Sequence, residues 1–427
     1  MSRRTIARHG HLRARTPFAG ALRVLGIALS CLLVAGLGTA AYATWDLTRT
    51  FAQNAVALEG QEAAPPDIDA LVGTEGVDLL LTGIDVCELD SRQKFGDRCP
   101  QSESRYGDDG RELGTGLNDV NLLVHISPEP RRITAIAFPR DMLIPMPECT
   151  DPKTGTVTSA QSQAMMNTAY AGGGLNCVVQ AIDSLTTPYD PDLAIDYAAT
   201  VTWNGVIEIT NAIGGVDVCV DGTIDDPEAG GLYLEAGTHN LAGDQALAFL
   251  RSRHGVGDGG DQGRISNQQV YMSSLARKML SSGTLSNPGT VLSLARTVVT
   301  NVDPSASLTP VELVKIALAA KDVAPENIVF LQYPAAPWSQ DPNRLVPVEA
   351  DAEALMQLLA SNAPISPTGK YLEEETPTQE ATQPPVEAGQ PTTDPTTDPS
   401  AGTGAEAAQP DQLLGRTAAD TSCSQAN

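Results

Sequence analysis

The stretch RSRHGVGDGGDQGRISNQQ sets Arg251, Arg253 and Arg264 within nineteen residues, around an acidic glycine-rich loop and ahead of Gln268 and Gln269. The whole chain carries a formal net charge of −25 over 427 residues, with 27 basic against 52 acidic side chains. Arginines gathered in so acidic a background suit an anion. A guanidinium binds phosphate oxygens in bidentate fashion and stays charged at any physiological pH. A diphosphate is therefore the first ligand to consider. Arg264 and Gln268 stand four residues apart, which puts them on one face of a helix. Arg251 and Arg253 close the preceding helix, and the loop from Gly255 to Gly263 would bring the two helix ends together. Plainer roles compete. Asp261 could cap the second helix, Arg251 and Arg253 could be surface charges at a helix C-terminus, and the loop could be a simple connector.

Three more residues share this chemistry. Asp85 follows the strand-like run LLLTGI, Asp119 opens the next such run, and Arg140 lies in FPRDM just beyond a third. Ligand sites of α/β folds gather at strand ends. Two carboxylates beside a phosphate site suggest Mg²⁺, which takes one or two carboxylates together with phosphate oxygens. Against this, a lone Asp is commonly a turn or cap residue, and Arg140 could pair with Asp141 or another acid. The GxSxG, HExxH and P-loop signatures are absent. Of five histidines, His9 and His11 fall in the basic N-terminal segment, so a histidine triad has few candidates.

The elements that must hold these residues interleave strands and helices. VDLLLTGID from Val77, NDVNLLVHIS and ITAIAF are short apolar runs, as expected of a sheet covered on both faces. A polar insertion runs from Glu88 to Gly116. Helices are expected over Ser159–Ala171 and Leu175–Leu185; in the second, Leu175, Val178, Val179, Ile182 and Leu185 mark one face. Strands follow at Leu193–Tyr197 and Val216–Val220, helices at Ala242–Arg251 and Gln262–Leu280, a strand at Asn327–Tyr333 and a helix at Glu349–Leu359. The class is α/β, one domain over residues 71–365 with a central mixed sheet flanked by helices.

The flanks set the compartment. Residues 1–23 hold six arginines and no acid. Residues 24–44 then run without a charge, long enough to span a bilayer as a helix. The arginines would stay cytoplasmic, which puts the domain outside the cell on a single-pass anchor. The competing reading is a cleaved signal peptide. Residues 45–70 read as a stalk. From residue 366 to 427 the composition turns to Pro, Thr, Glu, Asp and Gln, which cannot bury enough apolar surface to order itself. Cys31 lies in the apolar run, and six cysteines remain outside it, which favours disulfides. Cys87 with Cys99 is the natural local pair, and Cys423 is either free or tethers the tail. The acidic balance argues against nucleic acid as a partner.

Taken together, LLLTGID, NDVNLLVHISPEPRRITAIAFPRD, MNTAYAGGG, the segment from Asn211 to His254 and GDGGDQGRISNQQ resemble, in that order, the LytR–CpsA–Psr family of cell-envelope phosphotransferases. The FPRD box and the RSRH…DxGR…QQ box carry most of the likeness. The resemblance implies transfer of a glycopolymer from a polyprenyl diphosphate carrier to a cell-wall acceptor, usually the 6-hydroxyl of muramic acid in peptidoglycan, with a surface glycoprotein as the other acceptor class. It implies Mg²⁺ on Asp85 and Asp119, and diphosphate contacts from Arg140, Arg251, Arg253 and Arg264. Asp261 and Gln268 would be further polar residues of the site, with Asp119 or Asp261 as general base. The lipid would lie in an apolar tunnel between sheet and helices. Two positions depart from the pattern. Cys87 stands where relatives carry Arg, which leaves one contact to Arg92 or Arg98 of the insertion, and Asn118 precedes the second acid where Ser is usual. A polyprenyl-diphosphate hydrolase and a non-catalytic envelope-binding or regulatory protein are the competing functions.

Overall fold

The computed structural model describes residues 76–107, 110–113, 116–152, 154–257, 259, 261–280, 288–367 and 413–427, with residues 55–59 and a few single positions between 30 and 52. The chain divides into two units, Met1–Thr50 and Phe51–Asn427. Most of the expected anchor, residues 24–44, lies outside the described residues. Among the described residues, no helix is long and apolar enough to cross a membrane.

The larger unit is built on a seven-stranded mixed sheet. Its strands are β1 (Val77–Ile84), β2 (Asn118–Ile126), β3 (Ile133–Ala137), β4 (Tyr197–Val201), β5 (Val302–Pro304), β6 (Ile328–Gln332) and β7 (Gly415–Thr417), in the spatial order β5-β4-β1-β2-β3-β6-β7. β1 runs parallel to β4 and β3 parallel to β6, while β2 is antiparallel to both β1 and β3. The C-terminal ends of β1, β3, β4 and β6 therefore share one edge of the sheet with the start of β2. Ligand crevices of open α/β sheets form at such an edge.

Helices are α1 (Ala169–Thr186), α2 (Trp203–Ile213), α3 (Gly243–Arg251), α4 (Asp261–Leu280), α5 (Pro288–Asn301), α6 (Pro310–Ala320) and α7 (Glu349–Ala360). Alternate strand residues feed opposite faces. Leu80, Leu123, Ile136 and Leu331 meet Val178 and Ile182 of α1 and Leu355 and Leu359 of α7 on one side. Ile133, Ala135 and Phe330 meet Met272 and Ala276 of α4 and Ile316 of α6 on the other. A satellite core joins α3 and α4 to the strand Val216–Val220 and the hairpin of Ile224–Asp226 with Leu232–Leu234. The expected stripe of Leu175, Val178, Val179, Ile182 and Leu185 is buried on α1.

Several expectations are corrected. The helix expected over Ser159–Ala171 begins only at Ala169: Gln161–Met165 forms a strand paired with Leu143–Met146, and one 3-10 turn leads into α1. Cross-strand partners supply hydrogen bonds that local helix propensity could not outweigh. The strand expected at Leu193–Tyr197 begins at Tyr197, because Asp190 caps a 3-10 turn over Pro191–Leu193. Within the stalk, Val56 and Leu58 are buried, and the Val56 N–H donates to the Pro304 carbonyl at 2.8 Å. The tail is not wholly unstructured. Residues 413–427 pack on the domain, where β7 adds a strand beside β6 and Leu413, Arg416 and Ala418 are buried. Disulfides join Cys87 to Cys99, Cys149 to Cys177 and Cys219 to Cys423, so the last of these tethers the tail.

Candidate functional site

A cavity of about 760 Å³ opens between the sheet and helices α2, α3 and α4. Apolar lining comes from Leu81, Leu122, Ala135 and Phe330 of the sheet, Val206 and Ile209 of α2, and Met272 and Leu275 of α4. Asp85, Asp119, Arg140, Arg251, Arg253, Arg264 and Gln268 line the same cavity. The structure thus brings together seven of the eight residues singled out in the sequence. The eighth, Asp261, opens α4, and its side chain lies outside the described residues.

Each side chain is placed by a local device. Asp85 follows β1 at the sheet edge that borders the cavity. Across from it the β1–β2 register jumps: Gly83 pairs with Val120 and Ile84 with Asn118, which leaves Asp119 as the extra residue of a bulge. A bulge re-aims a side chain that strict alternation would fix. Asn118 anchors that bulge from within: its Nδ2 donates to Asn121 Oδ1 and the Met166 carbonyl, and its Oδ1 accepts from the Tyr170 N–H at 2.9 Å. Asn118 is fully buried and builds the frame of the bulge. Arg140, just past β3, donates through Nη1 to Asp119 Oδ1 at 3.1 Å and lies 3.4 Å from Asp141. Its pairing with acids is real, and it coexists with exposure to the cavity.

The insertion that begins after Cys87 brings an arginine beside Asp85. The Cys87–Cys99 disulfide pins the insertion over the sheet edge, and Arg98 beside it donates through Nη2 to Asp85 Oδ2 at 3.2 Å. Arg98 lines the cavity. Arg92, the other candidate of the insertion, instead donates to the Leu89 carbonyl and to Glu103 within the insertion. Trp203, at the start of α2, holds two cations, with Arg98 4.5 Å and Arg251 4.6 Å from its ring centroid. Cation–π contact fixes guanidinium groups without neutralising them.

Opposed charges shape the titration here. Burial raises the Asp85 carboxyl above its ordinary range; Arg98 opposes this, and the Asp119 charge adds to it. Burial lowers the Arg251 guanidinium, and the neighbouring Arg98 lowers it further, against Asp85 and Asp119. Each acid here has an arginine partner, Arg98 for Asp85 and Arg140 for Asp119, so the shifts of Asp85 and Arg251 come from burial and from like charges close by.

The arginine turn after α3 is organised by a residue the sequence did not flag. Buried Asp226 accepts at Oδ2 from Ser252 Oγ at 2.7 Å and from the N–H groups of Arg253 at 2.8 Å and His254 at 3.1 Å. Burial alone would raise its carboxyl; hydrogen bonds from Ser252 and from the Ala229, Gly255 and His254 amides prevail and hold it below the usual value. Gly255 packs tightly here, since a Cβ on it would lie 2.9 Å from Ile224 Cγ2 and 3.1 Å from Asp226 Cβ. On α4, Asn267 Nδ2 donates to the Phe249 carbonyl at 2.8 Å and Gln268 Nε2 to the Leu250 carbonyl at 3.0 Å. These bonds satisfy carbonyls at the C-terminus of α3, so Gln268 has a structural task at the rim of the cavity. The Asp226-Pro227 pair was a visible turn signal, and Trp203 is one of only three tryptophans. Neither showed what it would touch.

Known proteins resemble this chain in sequence and fold. The cell wall biosynthesis protein LcpA of Corynebacterium glutamicum is 29% identical over 230 residues, covering 51% of this chain and 42% of its own length. The teichoic acid transferase TagU of Enterococcus faecalis is 24% identical over 265 residues, 62% of this chain and 72% of that protein. The chain spans under half the length of LcpA and of the Streptococcus mutans biofilm regulatory protein A, at 42% and 47%. The fold resembles that of protein gbs0355 from Streptococcus agalactiae, with a TM-score of 0.51 at 22% identity over 70% of this chain and 92% of that one. The sequence model of the LytR_cpsA_psr family matches residues 47–360, and the chain belongs to that family.

Proposed function

We propose that this chain is a membrane-anchored phosphotransferase, which moves a glycopolymer from a polyprenyl diphosphate carrier to a cell-wall acceptor. The observation that carries this is one cavity with two chemistries: an apolar lining suited to a lipid chain, and Arg98, Arg140, Arg251, Arg253 and Arg264 beside it, suited to a diphosphate. The basic segment 1–23 and the apolar run 24–44 would hold the catalytic unit at the outer face of the membrane that supplies the lipid.

The acceptor is muramic acid of peptidoglycan or a surface glycoprotein. Its hydroxyl attacks the phosphorus nearer the sugar. The bond from that phosphorus to the bridging oxygen breaks, and polyprenyl phosphate leaves. The hydroxyl proton passes to a carboxylate, for which Asp119 and Asp261 are the candidates. Phosphoryl transfer of this kind depends on positioning and charge stabilisation more than on covalent catalysis. The arginines hold the diphosphate and stabilise charge on the oxygens that acquire it.

Asp85 and Asp119 would hold Mg²⁺. Their donor set fits: two carboxylates near enough for the charge of Asp119 to raise the Asp85 carboxyl, in a cavity where substrate phosphate oxygens would supply further ligands. When bound, Mg²⁺ would neutralise charge on the diphosphate oxygens.

The test is to incubate the full-length protein with a polyprenyl-diphosphate glycan, Mg²⁺ and peptidoglycan, and to identify the products. Phosphodiester-linked glycan is expected. Sugar phosphate without linkage would replace transfer by hydrolysis, and no turnover in wild type would sink both.

A further inference from the structure

Resting on the diphosphate reading, we infer that residues 423–427 are a positioning element for the arginine turn: they hold the backbone from His254 to Gly257 so that Arg253 meets the diphosphate.

The segment is tied down before it reaches the turn. Arg277 of α4 donates through Nη1 to the carbonyls of Ala418 at 2.7 Å and Asp420 at 2.6 Å. Cys423 is bonded to Cys219. Ser424 then continues beside the strand Val216–Val220: its N–H donates to the Cys219 carbonyl at 2.9 Å and its carbonyl accepts from Asp221 at 3.0 Å. The Ala426 N–H donates to Asp221 Oδ1 at 2.8 Å.

From that anchorage the segment grips the turn on consecutive residues. The Gly257 N–H donates to the Gln425 carbonyl at 3.0 Å, the Asn427 N–H to the Gly255 carbonyl at 3.2 Å, and Asn427 Nδ2 to the His254 carbonyl at 2.9 Å. Val256 and Ala426 form an antiparallel bridge. A second route runs through α4. Ser424 Oγ donates to Asn267 Oδ1, and Asn267 holds the Phe249 carbonyl near the end of α3. Asp226 fixes the N–H side of the same turn, while residues 425–427 fix its far side. A glycine-rich turn carrying a cationic ligand gains little order from its own sequence. Supporting contacts of this kind set how well a binding group is pre-organised.

The experiment uses the full chain in detergent with Mg²⁺, inorganic pyrophosphate as probe and calorimetry as readout. Deletion of residues 425–427 is compared in the wild-type and Arg253→Ala backgrounds, with thermal unfolding recorded for each protein. Asn427→Ala, which removes only the side-chain bond to His254, serves as the second variant should the deletion fail to fold. The deletion is expected to weaken pyrophosphate binding about tenfold and Asn427→Ala about threefold. In the Arg253→Ala background, either change is expected to cost less than twofold more. Affinity within twofold of wild type in both variants would overturn the inference. So would equal losses in the two backgrounds, because the segment would then act without Arg253. Absence of pyrophosphate binding in wild type is a different result: it overturns the diphosphate reading itself and removes the basis of this one.

Discussion

Strands β1 and β2 carry acids at both ends, and the two ends have opposite fates. At one end Asp85 and Asp119 are about three-quarters buried and line a cavity with Arg98 and Arg140. At the other, Asp78 pairs across the ladder with His125, whose Nδ1 lies 3.1 and 3.2 Å from the two carboxylate oxygens. Asp78 is fully buried and His125 nearly so. Residue type does not separate a site from a strut. What separates them is whether the paired groups are sealed in the interior or border an open cavity.

Breaking the closed end should therefore damage the fold and spare binding. Asp78→Ala strands the His125 charge in the interior, where losing one partner of a buried pair costs about 3–5 kcal/mol. Urea unfolding should show that loss near pH 6, while the KM for the lipid-linked donor stays within about twofold of wild type. A KM change as large as the stability change would erase the distinction between the two ends.

The open end should respond the other way. Arg140→Ala removes a cation from the cavity, and deleting one pre-organised charge-stabilising group typically costs about 10²–10³ in kcat, or about 3–4 kcal/mol. Asp85→Ala should lower activity and abolish its Mg²⁺ dependence. Thermal unfolding should move little in either variant. Turnover kinetics of Arg140→Ala indistinguishable from wild type would take the residue out of the site.

The closed end also makes stability depend on pH. Burial pushes the carboxyls of Asp183 and Asp196 up to about 7, with the Asp78 charge adding to both. Backbone N–H groups of Ile195 and Asp78 oppose this at Asp183 and Asp196 respectively. Burial opposes the His125 charge, but Asp78 and Asp196 outweigh it and raise the imidazole above its ordinary value. The sign is the same for all three. Each group binds its proton more tightly when folded, so its stabilising contribution is present at low pH and lost as pH rises. For the two acids the window runs from about 4 to 7, with a slope up to about 1.4 kcal/mol per pH unit for each. For His125 the loss begins above about pH 6.5. Asp196→Asn should flatten the stability curve between pH 5 and 7 by one group's share. Parallel curves for variant and wild type would show that Asp196 does not titrate in this window.

Much of the open end was legible in the sequence because its residues flank unmistakable strands and helices. Asp85, Asp119 and Arg140 follow or open apolar runs, and Arg251 and Arg264 sit at the ends of a helix pair. The apolar pattern likewise gave β1, β2, β3, β6, α3, α4 and α7 nearly to their bounds. What stayed hidden depends on distant partners. Asp226 draws its importance from a turn about 27 residues away. Trp203 matters because two arginines from separate segments stack on it. Residues 413–427 have the composition of an unstructured tail, and pairing with β6, hydrogen bonds to Arg277 and Asp221 and a disulfide spanning 204 residues order them. The bulge at Asp119 is a property of register, which no single strand encodes.

Arg98 tests the comparison most finely, because it joins the open end from a polar insertion outside the sheet. It is half exposed, pairs with Asp85 and stacks on Trp203. Exposed ion pairs contribute little to stability, so its value should lie in binding. Arg98→Lys keeps the charge and loses the planar fork and much of the stacking. We expect donor KM to rise about fivefold, close to 1 kcal/mol, with thermal unfolding unchanged. Trp203→Leu, which frees both Arg98 and Arg251, should raise KM by more than Arg98→Lys does. In the Trp203→Leu background Arg98→Lys should then cost less than it does alone, because the stacking is already gone. Full additivity of the two changes would mean that Arg98 binds through its charge alone, and that the tryptophan between the arginines serves only the core of Cys87, Cys99 and Ile207 on which it packs.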